Sequence, residues 1–65
     1  MKEKLKLANS TEAGDIWRSI KTGRTATVLE NNPIRGIYLK HETGYVGYIQ
    51  QQCLARDYIP TSHLK

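Results

Sequence analysis

Arg18, Lys21 and Arg24 fall at every third position around Gly23, and no acid lies between Trp17 and Thr25. Cationic side chains grouped in this way can neutralise neighbouring phosphates, and Arg35 is a fourth candidate for that role. Trp17, Tyr38, Tyr45 and Tyr48 are the candidate aromatic platform. Proteins that hold single-stranded nucleic acid combine these two features: cations track the phosphates and rings stack the bases. The plain alternative is a solvated basic turn beside aromatics that fill a core. Phe is absent, so Trp17 and at least two of the tyrosines are expected to be mostly buried, with their polar tips reaching water or a partner. The aromatics left over would also suit a protein interface, which is enriched in Tyr, Trp and Arg.

Catalytic and metal-binding groupings are weaker. His41, Cys53 and His63 could ligate zinc, but a closed structural site needs four ligands, usually in paired short spacings. No two of these three are so paired. Cys53 and His41 could form a nucleophile pair, yet only Arg56 stands where it could activate the thiol. The five glycines are spread one per turn or strand, which leaves no phosphate-cradling loop. Asp15, Glu30, Glu42 and Asp57 are each separated by an element, so no carboxylate pair is set up for acid–base work. No catalytic residue, metal or cofactor is assigned on these grounds.

Short strands must position the basic and aromatic groups. Four apolar runs are separated by three turn signals, and two of the turns share one chemistry, Lys21-Thr22-Gly23 and Glu42-Thr43-Gly44. That pattern reads as consecutive hairpins, with strands over 15–20, 25–30, 34–40 and 45–49. Ile16 and Ile20 would share one face of the first strand and Trp17 the other; Ala26 and Val28 would share a face of the second. Each Thr-Gly turn fits a three-residue loop, a type I turn closed by a left-handed glycine, so Gly23 and Gly44 should have positive φ. Asn31-Asn32-Pro33 is the intervening turn. Gly36 marks a bend, a bulge or a close backbone approach, and Gly47 a second bend. Residues 53–58 read as one helical or 3₁₀ turn ended by Pro60. Residues 1–13 read as an N-terminal arm or an edge strand, because Lys4-Leu5-Lys6-Leu7 alternates; residues 61–65 are a C-terminal tail.

Length and charge set the outer limits. A chain of 65 residues allows one domain with a marginal core, which a partner or a second copy could complete. A single cysteine cannot close an intrachain disulfide, and a reducing cytoplasm is the natural setting. No apolar run approaches the roughly 20 residues of a membrane span, and the start lacks the apolar stretch of a secretory signal. The net charge is +4, a sign that favours an anionic partner. Residues 14–60, however, hold six of the basic and four of the acidic residues, so much of the excess lies at the ends.

Gly14-Asp15-Ile16-Trp17 at the start, the TATVLE strand and the closing LARDYIP segment together resemble the SH3-like small barrels. In particular they resemble short basic phage and mobile-element proteins with a G-D-x-W opening and a Y-x-P closing turn. The resemblance covers residues 14–60, and Leu54 stands where an aromatic would be expected. It implies an all-β, SH3-like barrel of four to five short curled strands with one closing 3₁₀ or helical turn. It also implies a binding role rather than a reaction. The Gly14-Asp15-Ile16-Trp17 strand and Arg24 also resemble the small-barrel ribonuclease toxins of toxin–antitoxin modules. There, proline follows the arginine, whereas here the residue is Thr25. The expected function is a non-catalytic, nucleic-acid-associated accessory or regulatory protein of a phage or bacterial cytoplasm. A protein-interaction adapter, able to form homo-oligomers, is the alternative, and a ribonuclease relative the third.

Overall fold

The computed structural model describes residues 2–61. Alternating apolar and polar residues carry the middle of the chain into strands β1 (Ile16–Ser19), β2 (Thr25–Asn32), β3 (Gly36–His41) and β4 (Val46–Ile49). Helix α1 (Lys2–Ser10) precedes them; helix α2 (Gln51–Asp57) and strand β5 (Tyr58–Pro60) follow. The strands form one antiparallel sheet in the order β4-β3-β2-β1-β5, open between β4 and β5. Consecutive hairpins account for the first four strands, and β5 returns beside β1 after α2.

One face of the sheet is closed. Trp17, Ala26, Val28, Ile37 and Leu39 point to it and are buried, together with Ala8 of α1 and Leu54 and Ala55 of α2. At roughly 1.5–3 kcal/mol for each large apolar side chain, this cluster is the main favourable term for so small a domain. Trp17 anchors it with no exposed surface. Its indole N–H donates to the Thr11 hydroxyl at 3.0 Å, and that hydroxyl donates to the Asp15 carboxylate at 2.8 Å. Asp15 also accepts the Glu12 backbone N–H at 3.0 Å. The one polar atom of a fully buried ring is thereby satisfied, which removes a penalty of about 1–3 kcal/mol.

The N-terminal segment is a helix and not an edge strand. Lys4, Leu7, Ala8 and Thr11 make up its less exposed side, spaced as one face of a helix. Leu5, which alternation pairs with Leu7, stays 40% exposed. Lys, Glu, Leu and Ala are strong helix formers, and packing against α2 settles the choice. The Ser10 hydroxyl bonds back to the Lys6 carbonyl at 3.0 Å, at the last residue of the helix. Residues 51–57 form two helical turns where one was expected, because Leu54 and Ala55 both reach the core. The last expected segment thus divides into α2 and the short strand β5.

The two Thr-Gly turns differ. Gly23 and Gly44 both have positive φ, +76° and +97°. The second is the expected three-residue loop: Gly44 N–H donates to the His41 carbonyl and His41 N–H to the Tyr45 carbonyl. The first is one residue longer, since Ser19 N–H donates to the Arg24 carbonyl and Gly23 N–H to the Ser19 carbonyl. Ile20 is drawn out of the first strand because its N–H bonds the carbonyl of Asp57, the last residue of α2. At the opposite end, Asn31 and Asn32 complete β2, and the Asn32 carboxamide oxygen accepts the N–H groups of Ile34 and Arg35. The open question at Gly36 resolves to close approach: a Cβ there would lie 2.6 Å from the Ile49 carbonyl oxygen. The register shift in this strand pair falls instead in β2, between Val28 and Glu30.

Candidate nucleic-acid interface

The helices cover only the inner face, so the outer face of the sheet is the broad surface available for recognition. Strand register places its side chains in rows. Val46, Lys40, Thr27 and Ile16 lie across four strands, flanked on one side by Thr25, Arg18 and Ile59 and on the other by Tyr48, Tyr38 and Glu30. Neighbouring strands stand about 4.8 Å apart, so adjacent members of a row touch or nearly touch. Tyr38 and Tyr48 pair across the strands with ring centroids 4.7 Å apart and planes inclined by 31°. Tyr48 is 45% exposed, which leaves part of its ring open.

The expected platform is divided by this arrangement. Trp17 lies in the core and cannot stack a ligand. Tyr45 is the most exposed of the four aromatics, beyond the start of β4, with its ring 5.5 Å from that of His41. Two of the four, Tyr38 and Tyr48, therefore form a shared surface on the sheet.

The basic groups also separate. Arg18 is exposed on β1, and Lys21 and Arg24 are exposed in the turn that follows, so the first hairpin gathers these three. Arg35 lies beyond the far end of β2, which at 3.2–3.4 Å per residue places it about 25 Å away. Its turn adjoins Glu30, not the basic hairpin.

Two acids approach that hairpin from distant parts of the chain. The Glu42 carboxylate accepts the Thr25 backbone N–H at 2.6 Å and the Thr25 hydroxyl at 3.3 Å. The backbone bond above all, with help from Arg24 and Arg18, holds this carboxyl below the usual range. Asp57 is bound by Arg56 at 3.0 Å through two parallel contacts. That pairing, then the charges of Lys21 and Lys4, lowers its pKa as well. The basic hairpin is therefore partly neutralised. Its exposed cations are Arg18, Lys21 and Arg24, and Lys40 of β3, opposite Thr27 on the same face, adds a cation that sequence reading had not singled out.

The remaining candidates have structural surroundings. His41 is half-buried between the rings of Tyr45 and Tyr58, and Cys53 is half-buried on α2. His63 lies outside the described residues. Among the described residues no group of three His, Cys, Asp or Glu side chains could hold a metal ion. No helix of the described residues is long and apolar enough to cross a membrane. Asp15 and Trp17 of the G-D-I-W motif serve the buried hydrogen-bond chain, so the part of the ribonuclease resemblance that they carry has a packing explanation. No protein-family model, curated protein or solved structure matches the chain.

Proposed function

We propose that the chain is a small non-catalytic binding module that takes nucleic acid on the outer face of its sheet. The observation that carries this reading is the shared face: Arg18 and Lys40 project on the same side as the Tyr38–Tyr48 pair. Phosphates would follow Lys40, Arg18 and the turn residues Lys21 and Arg24, while an unpaired base stacks on the open part of Tyr48. Glu30, opposite Tyr38, directs the anionic backbone toward the hairpin end. Arg35 takes no part.

The strand order supports an SH3-like barrel: four consecutive antiparallel strands, a short helix, then a fifth strand beside the first. With the resemblance to phage and mobile-element proteins, that order supports an accessory or regulatory role in a bacterial or phage-infected cytoplasm. A protein adapter is the second reading. Ile16, Leu29 and Val46, about 40% exposed on or beside the same face, favour it.

Salt separates the two. In fluorescence titrations with single- and double-stranded oligonucleotides, affinity should fall steeply with salt. The double variant Arg18→Ala, Arg24→Ala should lose most binding while staying folded. Each phosphate contact removed should lower the slope of log affinity against log salt by roughly 0.7–0.9. Failure of the wild type to bind any oligonucleotide at low salt would leave the adapter reading in its place.

A further inference from the structure

The two edges of the open sheet are finished differently. β5 is three residues long. The Thr61 N–H bonds the Ile16 carbonyl, so alternation turns the Pro60 nitrogen, which has no hydrogen, toward the free side. β4, also short at four residues, has no proline on its edge. His41 N–H bonds the Tyr45 carbonyl, and the same alternation turns Gly47 and Ile49 toward β3, with the N–H and C=O of Val46 and Tyr48 outward. Among the described residues no other strand pairs with that edge. Natural edges are blunted by charge, proline, bulges or shortness. Residues 43–55 carry no acidic, basic or proline residue at all.

We infer that the β4 edge pairs antiparallel with β4 of a second copy of this chain, in register about Gly47. Two copies each carrying +4 repel one another, and the uncharged strip is where their backbones can approach without placing like charges together. The register is self-complementary. Val46 of each copy meets Tyr48 of the other, so the outward N–H and C=O groups of both residues find partners twice over. A β-branched residue facing an aromatic is also a favourable cross-strand pair. The two-fold axis runs perpendicular to the sheet, which sets both outer faces on the same side, next to one another. A four-residue edge makes a small interface, so the dimer forms with rising concentration.

Sedimentation equilibrium and amide hydrogen exchange, run from about 10 μM to about 1 mM, test this directly for an interface smaller than the standard size. The mass should rise toward that of two chains, with the Val46 and Tyr48 amides exchanging about tenfold more slowly at the highest concentration. Val46→Lys adds a charge to each edge at a solvent-exposed position and should weaken association by at least about tenfold. Chemical synthesis with an N-methyl group on Val46 removes one outward donor, keeps the side chain, and should also give a monomer. A wild type that is monomeric at every concentration overturns the inference. So does an oligomer in which those two amides exchange no more slowly, or one that survives N-methylation.

Discussion

The two faces of this sheet come from the same strands, and their residues alternate along each of them, yet they have opposite fates. Inward positions hold Trp17, Ala26, Val28, Ile37 and Leu39, which two helices close off from water. Outward positions on the same strands hold Arg18, Thr27, Tyr38 and Lys40, which no described element covers. The contrast shows how a chain this small divides its work. Its single tryptophan is committed to stability, and the proposed binding surface draws on the tyrosines and cations of the other side. Trp17 makes the point: the residue best suited to stack a base is the one the core could least spare.

Mutation should separate the faces sharply. Trp17→Ala removes the central core side chain and should cost about 3–5 kcal/mol, comparable to the whole stability that a core of this size supplies. Tyr48→Ala, on the outer face, should cost about 1 kcal/mol or less. Urea unfolding followed by circular dichroism measures both. If the two costs were similar, the division between faces would be wrong.

A smaller effect sharpens the same contrast at glycines. Gly36→Ala combines a positive φ of +106° with a Cβ driven 2.6 Å from the Ile49 carbonyl oxygen, and should cost about 2 kcal/mol or more. Gly44→Ala meets open space, so only its backbone conformation is strained, at about 1–2 kcal/mol. D-alanine, which favours positive φ, should be tolerated at Gly44. Melting temperatures of the synthetic variants decide the order.

The smallest effect concerns Glu42 on the basic end of the outer face. Its carboxyl titrates lower in the folded chain than in the unfolded one because the Thr25 N–H and the nearby arginines favour the charged form. The unfolded state therefore binds more protons in acid. The contribution is complete above the ordinary carboxylate range and is lost as pH falls through the lowered value. Glu42→Gln should flatten the loss of stability below about pH 4–5. Being exposed, the group should have a modest effect. An unchanged acid limb would show that the Thr25 contact is not maintained in solution.

The hairpins were legible because their signals are local. Thr-Gly turns, the Ala26/Val28 alternation and the position of Trp17 need no knowledge of distant residues, and the gathering of Arg18, Lys21 and Arg24 follows from one hairpin. What was not legible depends on partners far along the chain. Glu42 reaches Thr25 only because β3 pairs with β2, so the basic turn read as free of acids. Leu5 and Leu7 alternate as a strand would, and only packing against α2 selects the helical face that leaves Leu5 outside. The first turn is longer than expected because Ile20 is bonded by Asp57, beyond the fourth strand. Arg35 was grouped with the other cations by type, whereas the length of β2 carries it to the opposite end.

The central claim is that the outer face, at its hairpin end, is where this protein meets an anionic partner. Amide and side-chain chemical shifts followed by NMR during titration with a short single-stranded oligonucleotide at low salt test it most directly. The account predicts shifts concentrated at Arg18, Lys21, Arg24, Tyr38, Lys40 and Tyr48, with Arg35 and the two helices unaffected. Shifts centred on the Arg35 turn or on the helices, or no shifts at all, would contradict it.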